Sequence, residues 1–208
     1  MRGVIQPVVV SPAPSLPITL LGGVVATVLV SAWLNLAPIV GMPLIDVSAT
    51  IGGVLTTTAS AAFWIGYAVF FVFASHVLAP SILAAWALLP GNELGIGGAF
   101  IKGATWGVVV WVLSGIVLGV GTWLNALRYA TLPGYFALQQ GIAAAFWLFA
   151  GCIAYGVTIA LIGAMECGIS VLDTLGWKGF YMASTGPKQL EAHRSLEPYK
   201  LEDMHPHQ

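Results

Sequence analysis

The chain of 208 residues is 58% hydrophobic and 7% charged, and its formal net charge at pH 7 is −1. Soluble domains carry roughly 25% charged residues, so this chain lacks the polar surface that a soluble fold of its length requires. The near-neutral charge also argues against recognition of nucleic acid or of anionic lipid headgroups. The composition therefore predicts an integral membrane protein.

The chain begins with a proline-rich lead-in, residues 1–16, and continues into a first predicted span at about 17–40. Pro17 suits the opening turn of that helix, where a missing N–H removes no intrahelical bond. A cleavable signal peptide ending near Ala32 is the alternative, but the apolar run continues past that site. A membrane-spanning helix is therefore expected here.

Pro43 and Asp46, which follow the first span, predict a short element before the second span. Pro43 cannot continue a helix, because it lacks the backbone N–H. Asp46 is placed to cap a new helix, since its carboxylate can accept from the first backbone N–H groups of that helix. We expect a short helical or re-entrant element rich in Thr, Ser and Gly across 47–60.

The second predicted span, 60–89, carries a histidine near its middle. Trp64 and Trp86 flank His76 at similar separations, as tryptophans at the two membrane interfaces would, which places His76 near the midplane. Pro80 lacks the N–H that would bond the His76 carbonyl, so a kink is expected there.

The third predicted span, 96–127, has glycines spaced at multiples of four residues: Gly103, Gly107, Gly115 and Gly119. Glycines at this spacing form a stripe along one side of a helix. Helices in a bilayer associate through close backbone contact, which such a stripe permits. We therefore predict that these four glycines pack against another helix; the alternative is that glycine is simply common in membrane helices.

The fourth predicted span, 136–166, is followed by an interfacial segment, 167–182, and a polar tail, 183–208. The tail alone cannot bury enough apolar area to offset the entropy of ordering its backbone. We expect it to lie along neighbouring subunits and to anchor there through four apolar side chains: Leu190, Leu196, Tyr199 and Leu201.

Four spans place both termini on one side of the membrane. That side carries the basic residues Arg2, Lys102, Lys178 and Lys188, and cytoplasmic flanks are enriched in Lys and Arg. We therefore expect cytoplasmic termini in a bacterial inner membrane. The predicted fold is an all-α, integral membrane four-helix bundle with a C-terminal interfacial helix and a polar tail.

An internal repeat is one further prediction for the bundle. The sequence Ala-Ala-Phe-Trp at 61–64 recurs at 144–147, and the same offset maps the first span onto the third. Two parallel helical hairpins related by an axis along the membrane normal would produce this pattern. The alternative is chance recurrence in a chain rich in alanine and phenylalanine.

His76 is the one ionisable residue that the sequence places deep in the membrane, and such residues are candidates for function. It could ligate haem or metal, contact a quinone or relay protons; otherwise it hydrogen-bonds a neighbouring helix or subunit. A metal site needs three or four ligands, and the other histidines lie in the tail. We therefore predict no catalytic residue, no metal site and no cofactor of its own, with His76 contacting haem or quinone held by a partner.

Several sequence pieces, in order, resemble an uncharacterised family of small prokaryotic four-span membrane proteins, some associated with respiratory oxidase complexes. The pieces are the run 36–46 (LAPIVGMPLID), Trp64-Ile65-Gly66-Tyr67, Leu89-Pro90-Gly91 and the glycine-rich third span with Trp111. The resemblance covers roughly 20–165. In that family a histidine often follows the Trp-x-Gly by a few residues, whereas here His76 lies further on.

The resemblance implies no established activity, but it implies the company of respiratory membrane complexes. Together with the scarcity of chemical groups, it predicts a non-catalytic accessory subunit of a larger bacterial membrane complex of the haem-copper oxidase type. The expected partners are other integral membrane subunits and bound lipids. The alternative function is a small membrane transporter or channel, which would need polar residues lining a cavity near His76 and the threonines at 56–58.

Overall fold

The computed structural model describes residues 13–91, 96–126 and 132–166. The predicted interfacial segment and the tail anchors Leu190, Leu196, Tyr199 and Leu201 lie outside the described residues. Within the described ranges the chain is helical and has no β-strand. The α-helices are α1 (Leu16–Leu36), α2 (Val47–Leu55), α3 (Ala59–Phe73), α4 (Ala79–Ala85), α5 (Ile96–Leu124) and α6 (Ile142–Glu166).

Four stretches of the described chain are long and apolar enough to cross a bilayer: Leu16–Val40, Ala59–Ala85, Ile96–Leu124 and Ile142–Glu166. A span needs about 20 apolar residues, because a helix rises ~1.5 Å per residue. The prediction of an all-α, four-span membrane bundle is therefore confirmed.

The first span ends where its prolines and glycine require it to end. Pro38 cannot donate a backbone bond, and the helix tightens into a 3₁₀ turn, Ala37–Val40, closed by Gly41 in the left-handed region at φ 80°. The predicted cap of α2 is confirmed, because the Asp46 carboxylate accepts from the Ala49 N–H at 2.7 Å.

Glycines bring α2 and α3 into direct backbone contact. A Cβ at Gly52 would overlap the backbone of Ala62, and one at Gly66 would overlap the Ser48 carbonyl. The two helices therefore form a tight hairpin that no larger residue at these positions would allow.

The predicted glycine stripe of α5 divides into two parts. Gly103 and Gly107 lie against the α6 backbone, as helix packing requires; a Cβ on either would come within 2.6 Å of α6 backbone atoms. Gly115 and Gly119 instead receive the aromatic rings of Phe136 and Tyr135. Those two positions therefore differ from the prediction: a connecting segment, and not a helix, fills the space.

The fourth span begins later than predicted, because 136–141 is not part of α6. Tyr135–Gln140 forms a 3₁₀ turn in which Phe136 and Ala137 have φ of 53° and 60°. Left-handed backbone in non-glycine residues costs about 1–3 kcal/mol and persists only where surrounding contacts hold it. Here the Phe136 ring fills the notch at Gly115 and lies 4.8 Å from the Trp111 ring.

Helices α1 and α6 are joined by a pair of tryptophans. The rings of Trp33 and Trp147 stack with centroids 4.1 Å apart. Each indole N–H donates to the other residue's carbonyl, at 3.0 and 3.1 Å. Trp64, the counterpart of Trp147 in the predicted repeat, is instead 68% exposed. The two tryptophans thus have different environments, and the repeat stays a prediction.

Candidate functional site

Lys102 is buried inside the bundle and not at the membrane surface where the sequence placed it. Its side chain is 2% exposed. The ammonium donates to the carbonyls of Trp86 and Leu89, both at 3.0 Å, and lies 5.1 Å from the Trp86 ring centroid. These carbonyls follow the last turn of α4, where a lysine can satisfy acceptors that the helix leaves open.

The burial of Lys102 bears on two predictions. Trp86 faces the interior of the bundle and not lipid, because it is 6% exposed and packs beneath the lysine, and its depth in the membrane stays a prediction. Lys102 also no longer counts among the surface charges that set membrane orientation. The physical reason is the same for both: the free carbonyls at the end of α4 need a donor that apolar surroundings cannot supply.

The second span accommodates Pro80 with a π-helical bulge segment, Ala74–Leu78, between α3 and α4. The Ala79 N–H donates to the Ala74 carbonyl, five residues back. The widened turn is held by its neighbours: the Tyr155 hydroxyl donates to the same Ala74 carbonyl, and Gly23 of α1 lies against the Ser75 carbonyl. Such bulges occur frequently at functional sites.

His76 lies in this bulge segment with its side chain exposed, facing away from the bundle. Ser75 donates its hydroxyl to the Phe71 carbonyl at 2.6 Å, and its oxygen lies 2.7 Å from His76 Nδ1. Because the hydroxyl hydrogen is used on Phe71, the Nδ1–H donates to Ser75 and Nε2 is the acceptor of the neutral ring. The bulge thus presents an oriented imidazole to the outside of the span.

A large cavity of about 430 Å³, here called the lateral cavity, lies between α3 and α5. Its inner wall includes Val30 of α1 and Leu148 of α6, both buried. Three polar groups line it: Ser114, Cys152 and Tyr155. The volume falls within the ~300–1,000 Å³ typical of small-molecule pockets.

A second cavity of about 60 Å³, here called the end cavity, adjoins the first and is more polar than it. The two share Leu34, Val47 and Phe70 as wall residues. The end cavity adds the polar side chains of Ser31, Asn35, Asp46, Ser48 and Tyr67. Neither cavity is lined by His76 or by the threonines at 56–58, where a transport path was expected under the alternative function.

Asn125 holds α2 in place next to the lateral cavity. Its amide donates to the carbonyls of Ala49 and Thr50 in α2, at 3.0 and 3.2 Å, and the Ala126 N–H donates to the Gly53 carbonyl at 2.9 Å. Through these bonds the end of α5 holds α2 over the cavity, where Val47 and Ile51 contribute to its wall.

We expect Asn125→Ala to loosen α2 without unfolding the bundle. Each lost amide bond is worth about 0.5–1.5 kcal/mol, so amide hydrogens of α2 should exchange roughly ten times faster. Hydrogen–deuterium exchange of the purified protein in detergent measures this directly. Gln139→Ala, at an exposed position nearby in the chain, is the control; equal exchange of α2 in wild type and Asn125→Ala would contradict the assignment.

Comparisons of the chain with known protein families, curated proteins and solved structures gave no match. Among the described residues, no three His, Cys, Asp or Glu side chains lie close enough together to hold a metal ion. The resemblance noted in the sequence therefore stays a prediction, and the geometry of the site carries the functional argument.

Sequence reasoning missed three residues that build this region: Lys102 as a buried donor, Tyr155 as a brace of the bulge segment, and Asn125 as a clamp on α2. One signal was available for Lys102, since it lies a turn and a half inside an apolar helix. Tyr155 and Asn125 carry no such signal, because their partners are backbone carbonyls distant in sequence.

Proposed function

We propose that the chain is a non-catalytic structural subunit of a larger bacterial membrane complex, one of the respiratory, haem-copper oxidase type. The observation that supports this most is the exposed His76 in the middle of the second span. An imidazole facing lipid at that depth is costly, and ionisable residues in spans nearly always face protein or water. A neighbouring membrane subunit that covers His76 would remove this cost.

The hydrogen bonding of the His76 ring limits which groups a partner subunit can place against it. With Nδ1 bonded to Ser75, Nε2 of the neutral ring accepts a hydrogen bond or coordinates a metal. A partner would therefore present a donor side chain, a haem or the hydroxyl of a reduced quinone at this position, because a quinone carbonyl is itself an acceptor. Exposed aromatic and aliphatic side chains on the same span, Trp64, Val72 and Phe73, would add apolar contact.

The respiratory assignment rests on the sequence resemblance to the four-span family and not on the fold. Both termini are proposed to be cytoplasmic, supported by Arg2, Lys178 and Lys188. A fluorescent-protein fusion to the C-terminus tests this, because the fusion should fluoresce only if that terminus is cytoplasmic.

We expect His76→Leu to reduce the amount of partner subunits that co-purify with this chain in mild detergent, by about tenfold for a loss of ~1.4 kcal/mol. Native mass spectrometry gives the stoichiometry, and peptide sequencing identifies the partners. Val112→Leu, at an exposed position of α5, is the matched control.

The same experiment separates the parts of the proposal. Extraction of the wild-type chain alone would overturn the subunit proposal. Co-purification with membrane proteins that carry no haem would overturn the respiratory assignment only. A haem absorption spectrum that changes in His76→Leu supports contact with the cofactor, whereas an unchanged spectrum with weakened assembly supports a side-chain contact.

A further inference from the structure

The lateral cavity opens sideways into the bilayer. Its outer rim consists of Val69 and Phe73 of α3 and of Leu113 and Val117 of α5, and each of these is 41–51% exposed. Its inner residues on α1, α5 and α6 are buried. An apolar chain in the membrane could therefore enter between α3 and α5 without unfolding any helix.

The lateral cavity has the walls expected for a hydrocarbon chain. On α5 it extends from Val110 to Leu118, roughly 12 Å along the helix axis. Its lining is aliphatic and aromatic except for Ser114, Cys152 and Tyr155. The Tyr155 hydroxyl already donates to Ala74, so these walls offer contact rather than a polar binding group.

The residues of the adjoining end cavity determine which head group a bound hydrocarbon chain can carry. Asp46 lines the end cavity beside Ser31 and Tyr67, and a carboxylate at this site favours hydrogen-bond donors and disfavours phosphate or carboxylate. The cavity volume of about 60 Å³ is several times the ~10–15 Å³ that one water molecule requires on the same measure, so a hydroxyl-bearing head of a few atoms fits.

We propose that the two adjacent cavities together bind a single-chain amphiphile with a small hydroxyl head, such as a monoacylglycerol or a long-chain alcohol. The head hydroxyl donates to Asp46 in the end cavity. The chain passes Leu34, Val47 and Phe70, the residues common to both cavities, and lies in the lateral cavity towards Tyr155. A two-chain phospholipid is disfavoured, because its phosphate would lie near the carboxylate and its second chain has no cavity.

Binding can be tested by native mass spectrometry of the full chain in detergent, titrated with monoolein or with oleate. The two probes share one acyl chain and differ in the head. We expect one monoolein per protein and at least about tenfold weaker binding of oleate, because its carboxylate would meet Asp46. Equal binding of both probes, or monoolein binding without a saturating stoichiometry, would overturn the proposal.

Two variants locate the site. Val117→Trp places a large ring in the rim of the lateral cavity and should weaken monoolein binding by about tenfold or more. Ile116→Trp adds the same ring to an equally exposed position that does not line the cavity, so it should bind as wild type does. Equal losses in the two variants would show that the bound lipid lies elsewhere on the surface.

A third variant tests the head. Asp46→Asn keeps an oxygen that can cap α2 but removes the carboxylate charge. It should strengthen oleate binding relative to monoolein, so that the two probes bind within about twofold of each other. Thermal unfolding confirms that the variant is folded; a preference for monoolein unchanged by Asp46→Asn would overturn the assigned role of Asp46.

Discussion

We expect Lys102→Met to unfold at a clearly lower temperature than the wild-type protein. Methionine fills much of the same volume but leaves the carbonyls of Trp86 and Leu89 without their buried donor. An unsatisfied buried acceptor costs about 1–3 kcal/mol, and relief from burying an ammonium offsets part of this. We therefore expect a net loss of about 2 kcal/mol in the free energy of unfolding.

Whether Lys102→Met lowers or raises the free energy of unfolding depends on what the lysine binds. Replacing both partners of a buried ion pair with apolar groups is often neutral or stabilising. Here the partners are backbone carbonyls, which no substitution removes. Thermal or denaturant-induced unfolding in one detergent measures the effect, and Ile101→Met, at a 47% exposed neighbouring position, is the control. A Lys102→Met protein as stable as wild type would show that water or a neighbouring group replaces the ammonium.

The second large effect is expected for Gly107→Ala. A Cβ at this position would lie 2.6 Å from both the Cys152 carbonyl oxygen and the Ile153 Cα, so α5 and α6 must separate. Overpacking of this kind costs about 1–3 kcal/mol, and the separation also weakens the adjacent contact between Gly103 and α6.

Gly97→Ala is the matched control on the same helix, because its Cβ would meet no atom within 4 Å. Alanine is a better helix former than glycine by up to ~1 kcal/mol, so this variant should be unchanged or slightly more stable. Gly107→Ala should therefore lower the unfolding temperature, whereas Gly97→Ala should leave it unchanged or raise it slightly. Similar shifts in the two would indicate that α5 and α6 are not in backbone contact in the membrane.

The features that were predictable from the sequence depend on local patterns. The four spans follow from uninterrupted apolar runs, and the cap at Asp46 follows from its position after Pro43. The contact of Gly103 and Gly107 with α6 matches the expectation for glycines spaced by four residues. Each of these results needs only residues close together in the chain.

The features that were not predictable depend on contacts between distant segments. Lys102 was expected near the surface, because a charged residue close to a loop usually lies there. Instead, its ammonium donates to buried carbonyls that follow α4. The lateral cavity arises where α3 and α5 diverge and the end cavity lies between α1, α2 and α3, and no pattern in a single helix predicts either cavity. The left-handed turn at Phe136 likewise depends on space at Gly115, 21 positions earlier.

The bulge segment Ala74–Leu78 is equivalent to a one-residue insertion in an otherwise continuous helix. Because successive α-helical residues are ~100° apart around the axis, everything after the insertion is turned by about that angle relative to α3. The residues before and after the insertion therefore point in different directions. Trp86 points into the bundle beneath Lys102, and His76 points out of it. Deleting one residue of the segment would restore a single register and turn Trp86 away from the lysine, so the length of this span is as constrained as its composition.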